Sequence, residues 1–106
     1  MIQRVYNKKT FYTKFRLPTI RERYLIRWQP NHSTKIHSHN NKSCKFYLLY
    51  GELQENKYIY KGGVLKDGKS NILDKFLDSE YIDDTMGKHS IHNISERPSY
   101  SYHIYE

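Results

Sequence analysis

An all-β fold, as a sandwich or barrel of short strands, is what this sequence predicts. Short apolar and aromatic stretches recur at regular spacing with turn signals between them. No stretch carries a long amphipathic helical period. With 106 residues, the chain has the length of a single domain spanning 1–106.

Residues 1–20 are basic and aromatic, with Pro18 as a breaker. Arg23 to Trp28 has the β-branched and aromatic character of a strand. A loop follows around Pro30 and Asn31. Lys35 to His39 reads as a short strand, with Ile36 on one face and His37 and His39 on the other. Cys44 to Tyr50 is a buried strand ended by Gly51. Leu53 to Tyr60 and Gly63 to Leu65 form a hairpin around Lys61, Gly62 and Gly63. Lys66 to Ser70 reads as a turn, and Asn71 to Ser79 fits no single state. Tyr81-Ile82 is a short strand and Asp83 to Lys88 a turn. Ser90 to Ile94 and Ser99 to Tyr105 are the last strands, divided by a turn at 95–98.

Composition narrows the function classes. Eighteen Lys plus Arg against eleven Asp plus Glu give a net charge of +7. The lysines are scattered rather than striped, which argues against a nucleic-acid partner. There is one cysteine, so no disulfide within the chain. No signal peptide and no apolar run of membrane-spanning length is legible. These features predict a cytoplasmic protein without a membrane partner, as monomer or dimer. Eleven tyrosines predict a core built largely from rings whose hydroxyls need partners.

Three histidines stand out. His37-Ser38-His39 presents two imidazoles on one strand face, close enough to converge on one ion. His89, just after the turn at Gly87, is the best third ligand, while His32 and His92 read as bystanders. On ligand grounds alone such a set suits zinc as well as iron. Ser101, His103 and Tyr105 share one strand face at alternate positions. A polar inward face needs internal hydrogen bonds; the bland alternative is an exposed strand. Cys44 by itself reads as a small buried hydrophobe.

The spacing His37-x-His39, Cys44, Gly51 resembles a first cupin motif, and Gly87-x-His89-x-x-x-Asn93 a second. With Trp28, Leu53-x-Glu55, Tyr81-Ile82-x-Asp84 and Ser101-x-His103-x-Tyr105, the chain from about Tyr12 onward resembles the cysteine dioxygenases. The resemblance implies a cupin-type jelly-roll barrel. It also implies one Fe(II) per chain on His37, His39 and His89, and oxidation of L-cysteine by O2 to the sulfinate. Ser101, His103 and Tyr105 would be the catalytic hydrogen-bond relay. Cys44 would be placed for a thioether crosslink to Tyr105.

The family's substrate cation is an Arg in a Tyr-x-Arg motif. Here the chain reads Tyr12-Thr13-Lys14-Phe15-Arg16, so Lys14 or Arg16, with Tyr12 and Trp28, takes the substrate-binding role. That departure leaves mercaptopropionate or another small thiol carboxylate open as substrate. The family's N-terminal helices and C-terminal strands have no counterpart, so the expected barrel is small and incompletely closed. A non-catalytic metal- or ligand-binding cupin is the alternative reading.

Overall fold

The computed structural model describes residues 3–7, 12–38 and 42–106. Among them the fold is all-β, with strands β1 (Gln3–Asn7), β2 (Tyr12–Arg16), β3 (Glu22–Trp28), β4 (Cys44–Tyr50), β5 (Leu53–Lys61), β6 (Val64–Leu73), β7 (Ser79–Ile82), β8 (Gly87–His92) and β9 (Ser99–Tyr105). They form two antiparallel sheets. One has six strands in the order β1-β2-β3-β9-β4-β7, the other three in the order β6-β5-β8. This is the jelly-roll arrangement of a cupin, although strand pairing among the described residues does not run round from one sheet to the other.

Alternation decides what faces inward. Cys44, Phe46 and Leu48 of β4 are buried, whereas Lys45 is exposed and Tyr47 half-buried. Tyr24, Ile26 and Trp28 of β3 meet them from the same sheet, and Leu53, Leu73 and Ile91 close the core from the other. Strand β9 lies between β3 and β4. Its register sets His103 opposite both Tyr24 and Phe46, and Tyr105 opposite both Glu22 and Cys44. The predicted strands at Arg23–Trp28, Cys44–Tyr50 and Ser99–Tyr105 are therefore present, and they carry one wall of the interior.

The β5–β6 hairpin turns at Gly62-Gly63, both with positive φ (59° and 77°), as a tight two-residue turn demands. Lys66–Ser70 is not a turn. It belongs to β6, whose register slips between Asp67 and Ser70 against Tyr58 and Asn56. That bulge sits at Gly68, where an added Cβ would lie 2.9 Å from the Lys57 carbonyl. Asp67-Gly68 looks like a turn signal because β6 is largely exposed and offers no apolar alternation to oppose that reading.

Of the segment predicted as a strand at Lys35–His39, the described residues 35–38 do not form a continuous strand. Isolated bridges, Ser33 to His92 and His37 to His89, and hydrogen bonds between Thr34 and Ile91 tie the 33–37 stretch to β8, and His39 lies outside the described residues. β8 itself begins earlier than predicted, at Gly87 rather than Ser90. Gly87 has φ 140° and packs so closely on β5 that a Cβ there would lie 2.0 Å from the Tyr58 carbonyl. No helix among the described residues is long and apolar enough to cross a membrane.

Candidate metal centre

Strand pairing brings His37 and His89 together across the sequence. His37 N–H donates to the His89 carbonyl at 2.9 Å, and His89 N–H returns the bond to His37 at 3.1 Å. Residues that exchange both backbone bonds set their side chains side by side on one face. The two rings meet edge to face, and their Nε2 atoms lie 3.1 Å apart.

The other nitrogen of each ring is already engaged. His37 Nδ1 is 2.9 Å from the Lys35 carbonyl, which only accepts, so that nitrogen carries the proton. His89 Nδ1 is 2.8 Å from Glu55 Oε2, and an ionised Glu55 fixes the same tautomer. Both Nε2 lone pairs then point into one small space, which is repulsive unless a proton or a cation lies between them. Burial, and then the neighbouring His37, hold the His89 pKa well below its ordinary 6.5; burial also lowers that of His37.

This arrangement fits a divalent metal. Two nitrogens bound at right angles to one ion at about 2.1 Å stand about 3.0 Å apart, near the observed 3.1 Å. A carboxylate on the far nitrogen is the usual orienting partner of a ligating imidazole. Among the described residues no three His, Cys, Asp or Glu side chains gather as a metal cluster. The remaining expected ligand, His39, lies outside them.

Sequence reasoning gave Glu55 no role beyond its place in a motif. The available signal was alternation: Glu55 is in phase with Leu53, and both are fully buried. Burial pushes the Glu55 carboxyl pKa up, and Lys57 works against that rise.

A cavity of about 280 Å³ adjoins the histidine pair, and Tyr12, Lys14, Trp28, His103 and Tyr105 line it. Lys14 Nζ stands 4.3 Å from the centroid of the Tyr24 ring and 4.8 Å from that of Tyr105. Burial lowers its pKa from the ordinary 10.5. Arg16, the other candidate cation, does not line this cavity. Its guanidinium donates to the carbonyls of Arg21 and Thr19. Lys42 and Glu22, an ion pair unforeseen from sequence, also line the cavity.

Ser101 and His103 are buried and hydrogen-bonded to each other. Trp28 Nε1–H donates to Ser101 Oγ at 2.7 Å, and Ser101 Oγ lies 2.6 Å from His103 Nε2. His103 Nδ1 lies 3.9 Å from Cys44 Sγ. Its ring stacks on Phe46 at 4.9 Å with planes 6° apart. Tyr105 and Cys44 are register partners across β9 and β4, and their side chains share a hydrogen bond. Burial pushes the Cys44 thiol pKa up to about 12 and that of the Tyr105 phenol well above its usual 10.

Asn93, the last residue of the second motif, does not line the cavity. It donates to the carbonyls of Trp28 and Arg97 and accepts from Ser95 and Ser99, pinning the turn that leads into β9.

The family model for cysteine dioxygenase type I matches residues 5–106. The chain belongs to that family. It is 32% identical over 89 residues to human cysteine dioxygenase type 1, and 29% identical over 85 residues to the zebrafish (Danio rerio) protein. Each match takes in 76% of this chain and 42% of the relative, so the chain spans less than half the length of the curated relatives it matches. Among solved structures, the Drosophila melanogaster CENP-C cupin domain superposes with a TM-score of 0.75 at 17% identity. That match covers 99% of this chain and 75% of the other. An oxalate oxidase superposes with a TM-score of 0.65 at 15% identity, over 79% of this chain and 40% of its own. These structural likenesses establish the cupin fold.

Proposed function

We propose that this chain is a thiol dioxygenase acting on a small thiol carboxylate, with L-cysteine the first candidate. The observation that carries the reading is the pair of converging Nε2 atoms on the wall of a cavity that also holds a half-buried ammonium and a protonated phenol. Family membership supports it. His37, His39 and His89 would hold one Fe(II). When bound, the iron supplies the redox chemistry that joins both atoms of O2 to the thiol sulfur, so that RSH and O2 give RSO2H.

The protein's own groups bind and orient. Lys14 pairs with the substrate carboxylate, and an anion here compensates the solvation that its ammonium has lost. Lys is a point charge rather than a bidentate fork, so the carboxylate is held less rigidly than an Arg would hold it. Tyr105 keeps its proton, which its hydroxyl shares with Cys44, and would turn that donor toward bound substrate. The Trp28–Ser101–His103 chain fixes the imidazole that packs between Phe46 and Tyr105. A Cys44–Tyr105 thioether would form by oxidative loss of two hydrogens, one C–S bond replacing the S–H and a ring C–H. O2 serves as the oxidant. An intact mass about two units below the sequence mass after turnover would support it, and an unchanged mass would exclude it.

The test loads the protein anaerobically with Fe(II), adds cysteine or mercaptopropionate with O2, and looks for a gain of two oxygens. Sulfinate from cysteine, lost in His89→Ala, is the expected result. Product from mercaptopropionate alone keeps the reaction and changes the substrate. Bound iron with no product from either overturns the catalytic reading and leaves a metal-binding cupin.

A further inference from the structure

Behind His89 a line of charge runs from the smaller sheet to the larger one. Glu55 Oε2 is 2.8 Å from His89 Nδ1, Lys57 Nζ is 3.5 Å from Glu55 Oε1, and the same Nζ is 3.0 Å from Glu80 Oε1. Glu55 and Lys57 occupy the inward positions of β5, and Lys57 is the register partner of His89 on β8. Glu80 belongs to β7 of the other sheet, opposite Phe46. The Glu55 side chain is 0% exposed and that of Lys57 is 15% exposed. Glu55 Oε1 has no well-formed hydrogen bond among the described residues; the Lys57 ammonium 3.5 Å away and the Glu80 carboxyl group both bear on the Glu55 carboxyl. A buried carboxylate with one oxygen committed to a histidine and the other held by the Lys57 ammonium at 3.5 Å could rotate about its terminal torsion without that ammonium. The ammonium opposes that rotation. Glu80 in turn fixes the ammonium by a short charge-assisted hydrogen bond.

We propose that Lys57, anchored by Glu80, is a positioning residue for the metal centre: it holds Glu55 in the orientation that aims His89 Nε2 at the ion. The inference rests on the reading of His37 and His89 as metal ligands. Lys57 touches neither metal nor substrate; it acts through Glu55.

Zn(II) affinity of the metal-free full chain, measured by competition with a chromophoric chelator, tests it. Co(II) absorption bands supply a second readout of ligand geometry. Lys57→Met should weaken Zn(II) binding by about 10–100-fold, the usual cost of removing a partner behind a ligand, and shift the Co(II) bands. Lys57→Arg should restore most of both. Glu80→Gln, at a partly exposed position that the fold tolerates better, should cost a smaller factor in the same direction. This variant keeps the inference testable if Lys57→Met does not fold. A Lys57→Met or Glu80→Gln protein that loses thermal stability yet binds Zn(II) like the parent, with unmoved Co(II) bands, would overturn it and leave the metal reading standing. A parent chain that binds neither ion overturns both.

Discussion

The cavity has two walls built by different means. The smaller sheet and the 33–37 segment hold the histidine pair, and each imidazole there has its far nitrogen engaged by a carbonyl or a carboxylate. Its polar groups converge on one point. The larger sheet holds Lys14, Trp28, Ser101, His103 and Tyr105, whose contacts run sideways along the sheet, from Trp28 through Ser101 to His103. On the proposed reading, one wall would share a cation, and the other would orient an anion and a hydrogen bond. Substitutions on the first wall should therefore act on metal occupancy, and those on the second on substrate affinity, turnover and stability.

The largest effect separates the walls most sharply. His89→Ala should lower Fe(II) or Zn(II) affinity by more than the roughly 100-fold expected for losing a supporting group, as titration calorimetry would report, and abolish turnover. Binding that survived at parental affinity would remove the smaller sheet from the site. Next comes Lys14→Met on metal-loaded protein. Losing a partly buried cation opposite a carboxylate costs about 2–5 kcal/mol, so KM should rise on the order of 30-fold or more while metal content stays unchanged. Lys14→Arg should recover much of it. A thiol amine without a carboxylate should not distinguish Lys14→Met from the parent.

Ser101→Ala should leave metal affinity intact and cost stability, because it strips the buried Trp28 N–H and His103 Nε2 of a shared partner. Each orphaned group costs about 1–3 kcal/mol, readable as a lower urea midpoint at constant slope. The smallest effect concerns Cys44. Its folded pKa, about 12, lies above the ordinary 9.0. Between those values the folded state keeps a proton that the unfolded chain has shed. The thiol's contribution is thus full below pH 9 and is lost as pH climbs toward 12. Stability measured across that interval in the parent and in Cys44→Ser should diverge with that sign. In the native protein the thiol should also resist alkylation at pH 8.

How far sequence reached also differs between the walls. On the larger sheet, strict alternation made β3, β4 and β9 legible, and with them the shared inward face of Ser101, His103 and Tyr105. On the smaller sheet, His37 and His89 were found by motif spacing, but the partners that hold them were not. Glu55 and Lys57 are charged residues at inward positions, and solvated charge is the default reading of such residues until burial is seen. The carbonyl of Lys35 carries no signal in its side chain at all. Arg16 illustrates the converse. Periodicity put it on the Lys14 face, but the strand ends there, and nearby carbonyls of the 19–21 turn take up the guanidinium.

The slip in β6 reaches beyond local geometry. Strand β6 borders its sheet, so one side of its backbone has no ladder partner within the sheet order. A long, straight border strand is a template on which another chain can add by hydrogen bonding. β6 is long, running from Val64 to Leu73, but it is not straight. The extra residue at Gly68 bends it mid-course, and Lys66, Asp67 and Lys69 surround the bend with exposed charge. A residue pair that reads as a turn in the sequence thus serves as a guard against aggregation.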